Sequence, residues 1–239
     1  MAVYFGSARI DERGRAAGGA AGDQKQKAKP DYSGEVSQEK FYVHSLGWYV
    51  LRAKSAIIAA NLAGAMINAC DNPNVGYDQN QRLGVVNNGT GSKVKTECDC
   101  SSLVRQCIKE ATNGTDPGNF TTANEATKVM ATGLFDKITY TSGMTLYTGD
   151  ILVTRSKGHT GIITSGAPRV LQSVNKYYPA YSGNTVSIVT ALKAVGESDT
   201  SYTHRKKIAT ANNIGGYSGT AMQNTQMLNL LKLGQLVKA

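Results

Sequence analysis

Long apolar runs are missing from this chain of 239 residues. The most apolar stretch, Ala56 to Cys70, follows Arg52 and Lys54 and is interrupted by Asn61 and Asn68. It is too short and too broken to cross ~30 Å of hydrocarbon, so no membrane insertion is expected. The opening Met1-Ala2-Val3-Tyr4-Phe5-Gly6 has neither a basic start nor an apolar core, which excludes a signal peptide and predicts synthesis in a cytoplasm. Aromatic residues are sparse apart from 12 Tyr, with 4 Phe and 1 Trp. No stacking platform for single strands and no nucleic-acid motif is evident. Only 4 Cys are present, all between Cys70 and Cys107, too few for a secreted disulfide scaffold. Cys98-x-Cys100 has no second Cys or His pair downstream to complete a zinc site, so neither metal nor organic cofactor is expected. Acidic residues are also in the minority, 17 against 26 Lys and Arg, for a formal charge of +9. Such a surface favours polyanions, among them the polymers of a bacterial wall.

What is present fits one large domain or two smaller ones. Hydrophobic residues reach 41% and mean hydropathy is −0.29, ordinary values for a globular chain. A chain this long buries roughly 70% of its unfolded surface and needs no crosslink. Residues 1–35, centred on Gly18-Gly19-Ala20-Ala21-Gly22, read as a loop or flexible arm. From Ser37 the apolar spacing through Tyr49, Val50, Ala53, Ile57 and Leu62 predicts helix up to the Asp71-Asn72-Pro73 stop. Gly76 to Lys95 reads as loop. Leu103, Val104, Cys107, Ile108 and Ala111 mark a strong amphipathic helix over 101–112, and a second helix is expected over 121–130. Strands are predicted at 150–154, 159–164 and 169–174, in an antiparallel meander. The tail predicts three helices, at 187–195, 203–212 and 220–233.

Two residues stand out chemically. Cys100 follows Asp99 at the start of the predicted helix, where unpaired N–H groups and the helix dipole favour a thiolate. His159 opens a strand after Gly158, at a sheet edge where it could meet that helix start. Such a pair supplies a nucleophile and a proton shuttle. His44 and His204 are poorer candidates, one among mixed residues before a helix and the other beside Arg205 in the tail.

Asp99-Cys100-Ser101-Ser102-Leu103-Val104 resembles the nucleophile motif of the NlpC/P60 peptidoglycan hydrolases, with Ser102 in place of the usual Gly. Gly149-Asp150-Ile151-Leu152 followed by Gly158-His159-Thr160-Gly161-Ile162 is similar to that family's histidine strand. Cys98 competes as nucleophile, and the motif register favours Cys100. The segments around Ala8–Gln24 and Gly76–Arg82 resemble the openings of phage lysins of this type, and the tail from Tyr177 resembles their wall-binding modules. If so, the arm is ordered against the catalytic domain.

The resemblance implies an α+β fold: a papain-like catalytic domain over 1–176, its helices packed on an antiparallel sheet, and a helical wall-binding domain over 177–239. It implies that Cys100 attacks an amide of the stem peptide, His159 moves the proton, and a polar residue on the next strand orients the imidazole, best Gln172 and second Asn175. Tyr77, Asp99 and Ser101 are the expected substrate contacts. The implied activity is that of a phage endolysin, an endopeptidase with peptidoglycan and anionic wall polymer as partners, reaching the wall after release from the cytoplasm. An N-acetylmuramoyl-L-alanine amidase on the same scaffold and a non-catalytic wall-binding protein are the alternatives.

Overall fold

The computed structural model describes residues 2–25, 28–169 and 176–239. The chain divides into two compact units, 1–170 and 171–239.

The first unit is built on a six-stranded antiparallel sheet of order β2-β1-β8-β7-β3-β6. Its strands are β1 (Tyr4–Ala8), β2 (Val36–Lys40), β3 (Trp48–Ala53), β6 (Phe135–Thr139), β7 (Ile151–Thr154) and β8 (Thr160–Ser165). A short parallel pair, β4 (Val75–Tyr77) and β5 (Thr96–Cys98), stands apart. Helices α1 (Ala56–Cys70), α2 (Gly84–Asn88), α3 (Cys100–Ala111) and α4 (Glu125–Met130) complete the unit.

Strand alternation sorts the sheet into two faces. Ala8, Val36, Leu51 and Ile162 enter one core with Leu62, Met66, Leu103, Val104 and Ile108 of α1 and α3. Phe5, Trp48, Val50, Leu152 and Ile163 form a second cluster. Two glycines permit close packing. A Cβ on Gly6 would stand 2.5 Å from Met66 Cγ of α1. Gly149 has φ +88°, and a Cβ there would stand 2.0 Å from the Ala59 carbonyl oxygen. Beside it, buried Asp150 accepts from Arg52 Nε at 2.9 Å and Nη2 at 2.7 Å, tying β7 to β3. Gly149 and Asp150 of the resembling motif are therefore structural.

Several expectations are corrected. Residues 1–35 are not a free arm: β1 lies inside the sheet between β2 and β8, and Asp11, Asp23, Asp31 and Glu35 are buried. The stretch from Ser37 is not helix but β2 and β3, and the helix begins at Ala56 behind the Ser55 cap. Ile57, placed on the apolar face by spacing, is 65% exposed. Gly76–Lys95 is not all loop, since β4 ends at Tyr77 and α2 spans Gly84–Asn88. The helix expected from Thr121 starts at Glu125. Of the strand expected over 169–174, all but Arg169 lies outside the described residues.

In the second unit, α5 (Ile188–Ala194), α6 (Tyr202–Ala211) and α7 (Ala221–Lys232) enclose Leu192, Ile208, Met227, Leu228, Leu231 and Leu236. Ser187, Ser201 and Thr220 cap the three helices through their hydroxyls. Tyr177 bridges Val237, which joins the unit's two ends. No helix among the described residues is long and apolar enough to cross a membrane.

Candidate active site

Cys100 is the first residue of α3. The Asp99 carboxylate caps the helix by accepting from Ser102 N–H at 2.7 Å, and the Ser102 hydroxyl accepts from Asp99 N–H at 2.9 Å. This capping box gives Ser102 a structural task at the position where the resembling motif has glycine. Arg82 Nε donates to the other Asp99 oxygen at 2.5 Å, while its two terminal nitrogens reach Asn119 Oδ1 and Phe120 O. Asp99 is thus locked from both sides.

Cys100 is a partly exposed residue, whereas Cys98 is fully buried and its Sγ meets Gly76 O at 3.3 Å. Geometry therefore sets Cys98 aside as nucleophile. The Ser101 hydroxyl lies 3.9 Å from Cys100 Sγ, and the Thr160 backbone N–H favours the anionic form of the thiol. Thr160 opens β8 and directly follows His159, and α3 packs against that strand. No hydrogen bond joins Sγ to the imidazole among the described residues.

His159 is held by its neighbours. Its backbone N–H donates to Thr154 Oγ1 at 3.0 Å, and its carbonyl accepts from Thr154 N–H at 3.0 Å. Gly158 N–H donates to Thr122 Oγ1 at 3.0 Å, anchoring the preceding turn. On the ring, Nε2 lies 3.1 Å from Ser7 Oγ of β1. Phe5 packs edge-on at 5.9 Å, and Trp48, Tyr42 and His44 extend the aromatic wall around it.

Burial dominates the electrostatics. It pushes the Cys100 thiol up to about 12, aided by the nearby Asp99 and Glu125 carboxyl groups. It holds His159 down at about 4, with Arg9 and His44 adding repulsion. The resting pair at neutral pH is thus a thiol and a neutral imidazole. Burial thus works against the thiolate that a helix start favours.

Tyr77 is buried on β4, its hydroxyl accepting from Gln79 Nε2 at 3.1 Å. Burial, against the Gln79 hydrogen bond and with Asp99 nearby, raises its phenol to about 12. Ser101 is buried beside the thiol. Gln172 and Asn175 lie outside the described residues. Ser7 was missed by sequence reading, although Val3-Tyr4-Phe5 ahead of it is a short β-prone run that could have signalled a strand. Among the described residues, no three His, Cys, Asp or Glu side chains are arranged to hold a metal.

The sequence model of the endolysin-like domain matches residues 5–169, the whole of the sheet unit as described from β1 onward. The chain belongs to the endolysin-like domain family. As an endolysin-type protein it acts on the peptidoglycan of the bacterial cell wall. No curated protein and no solved structure matches it.

Proposed function

We propose that this endolysin is a cysteine peptidoglycan hydrolase of the NlpC/P60 type that cleaves an amide of the stem peptide. One observation supports the reading above others: Cys100 opens the helix that packs against the strand His159 leads into, and that imidazole is itself anchored through Nε2. Sγ attacks the scissile carbonyl while His159 Nδ1 takes the thiol proton, so no free thiolate need accumulate. The oxyanion meets the Cys100 backbone N–H, one of the unpaired donors at the start of α3. His159 returns the proton to the leaving amine, and water hydrolyses the thioester. Ser7 takes the orienting role assigned by sequence to Gln172 or Asn175, accepting or donating at Nε2 to fix the ring without carrying charge. Tyr77, Asp99 and Ser101 border the nucleophile and are the substrate contacts in this reading.

The unit over 177–239 serves as the wall-binding module. It carries six Lys and Arg against two acidic residues, suited to anionic wall polymer. A groove of about 590 Å³ between the end of α6 and α7, bordered by Asn213, Ile214, Met222, Gln226 and Leu230, offers amides and apolar surface together.

The test is mass spectrometry of fragments released from purified sacculi by wild type and by Cys100→Ala. New termini found with wild type alone support the reading. Release of the L-Ala amine from muramic acid would indicate an amidase in place of an endopeptidase. A second reading, a wall-binding protein with an idle site, draws support from the neutral thiol that makes no hydrogen bond to the imidazole. Sedimentation with walls but no fragments would favour it.

A further inference from the structure

Ser7, which meets the His159 ring, is followed two residues later by Arg9. Arg9 N–H donates to Glu35 O at 3.0 Å and so extends the β1–β2 pairing by one residue. Alternation then puts Ser7 and Arg9 on one face of the sheet, about 7 Å apart along the strand. On β2 that face carries Ser37, opposite Ser7, and Glu39. The Arg9 side chain reaches back over this row, and its Nη1 donates to Glu39 Oε2 at 2.6 Å. Among the described residues the rest of its fork makes no hydrogen bond, and the side chain is half-exposed. A cavity of about 410 Å³ opens here, bordered by Arg9, Lys25, Ser37 and Glu39, with Ile10 and Tyr32 as an exposed apolar wall. Its charged lining is two cations against one anion, and Lys25 makes no ion pair among the described residues. The paired serines are all that separate this lining from the imidazole's anchor. Arg9 is also close enough to repel a charged His159. A guanidinium with most of its donors free, beside a second cation, matches a planar carboxylate.

We propose that this cavity is a substrate subsite in which Arg9, assisted by Lys25, holds a free carboxylate of the stem peptide. Two carboxylates of such a peptide share that chemistry, one on its glutamyl residue and one at its C-terminus. Glu39 fixes the guanidinium through one nitrogen and leaves the remaining donors of the fork for the ligand. Ile10 and Tyr32 cover the apolar part of the neighbouring residue. A peptide anchored there is held one strand spacing from His159, so the carboxylate sets which amide comes to the reacting groups. The inference takes its ligand from the hydrolase reading, but its test needs no cleavage.

The experiment is titration calorimetry on the full chain carrying Cys100→Ala, with a synthetic stem peptide as the probe. The peptide is used as the free acid, amidated at the glutamyl carboxyl, amidated at the C-terminus, and amidated at both. One singly amidated form binds about tenfold more weakly than the free acid, which names the carboxylate held. Adding Arg9→Ala weakens the free acid by a similar factor and erases the difference between acid and amide. A purely structural role for Arg9 would weaken every form alike and keep that difference. Equal binding of all the forms overturns the proposal. So does an acid preference that survives Arg9→Ala, and so does the absence of binding at millimolar peptide. If Arg9→Ala does not fold, Arg9→Gln, which keeps a donor for Glu39 and drops the charge, decides on the same readout. Sacculi left uncut by wild type would sink the hydrolase reading and leave this comparison standing.

Discussion

Two helices in this protein open with the same device and end in different roles. In α3 the box is Asp99 with Ser102; in α7 it is Thr220 with Gln223. Both satisfy orphan N–H groups at the first turn. Helix α3, which Cys100 opens, packs against β8, the strand that His159 leads into. The start of α7 looks outward, with Met222 72% exposed. A cap makes a helix begin. What packs against that beginning decides whether it becomes a site.

The widest separation between the two helix starts comes from removing the thiol. Cys100→Ala should reduce fragment release from sacculi at least ~10³-fold while leaving the melting temperature within a degree or two. Any residual release near wild type breaks the comparison outright. Next comes the group behind the imidazole: Ser7→Ala should lower kcat about tenfold with little change in KM, the loss of one hydrogen bond that orients the ring. An unchanged kcat would remove β1 from the mechanism.

The caps themselves sharpen the contrast. Asp99→Ala and Thr220→Ala should each cost about 1 kcal/mol of stability in chemical denaturation. Only Asp99→Ala should also impair hydrolysis, because Arg82 loses its partner beside the thiol. Equal activity in the two variants would mean that the cap of α3 is structural alone.

The smallest effect concerns pH. Burial lifts Glu35 and Glu97 to about 7 from an ordinary 4.5, so the folded chain holds protons that the unfolded chain has released. Their contribution to stability is full below about 4.5 and is lost as pH rises through 7. His159 opposes this: held at about 4 against 6.5, it contributes stability that is lost as pH falls. Two carboxyl groups outweigh one imidazole between pH 5.5 and 8, so the first unit should melt a few degrees lower at pH 8. Glu97→Gln should flatten that slope, and a melting temperature that rises with pH would contradict the burial of these groups.

Periodicity found the helices whose apolar faces are clean. Leu103, Val104, Cys107, Ile108 and Ala111 recur at helical spacing and are all buried in α3. The three tail helices were legible for the same reason, aided by hydroxyl caps and following glycines. Strands β1, β2 and β3 were not legible. Trp48, Val50 and Leu51 are buried because both faces of β3 are covered, Trp48 and Val50 in one core cluster and Leu51 in the other, and such a doubly covered strand loses the alternation that would mark it. Mixed with the small residues of α1, it imitates a longer helix. The Gly- and Asp-rich arm looked free because its order depends on distant partners, such as Glu97 accepting from Gly22 N–H at 2.7 Å.

The sequence by itself determined where α3 begins, that a cysteine stands there, and that a histidine opens a strand 59 residues later. Those are local facts: a cap, an apolar period, a glycine turn. Tertiary structure alone decided that β1 enters the sheet beside β8 and sets Ser7 against the imidazole. It also set the burial that pushes the Cys100 thiol up and the His159 imidazole down. Whether a thiol and an imidazole are charged depends on how much water the surrounding chain removes, and that is a property of the packed whole.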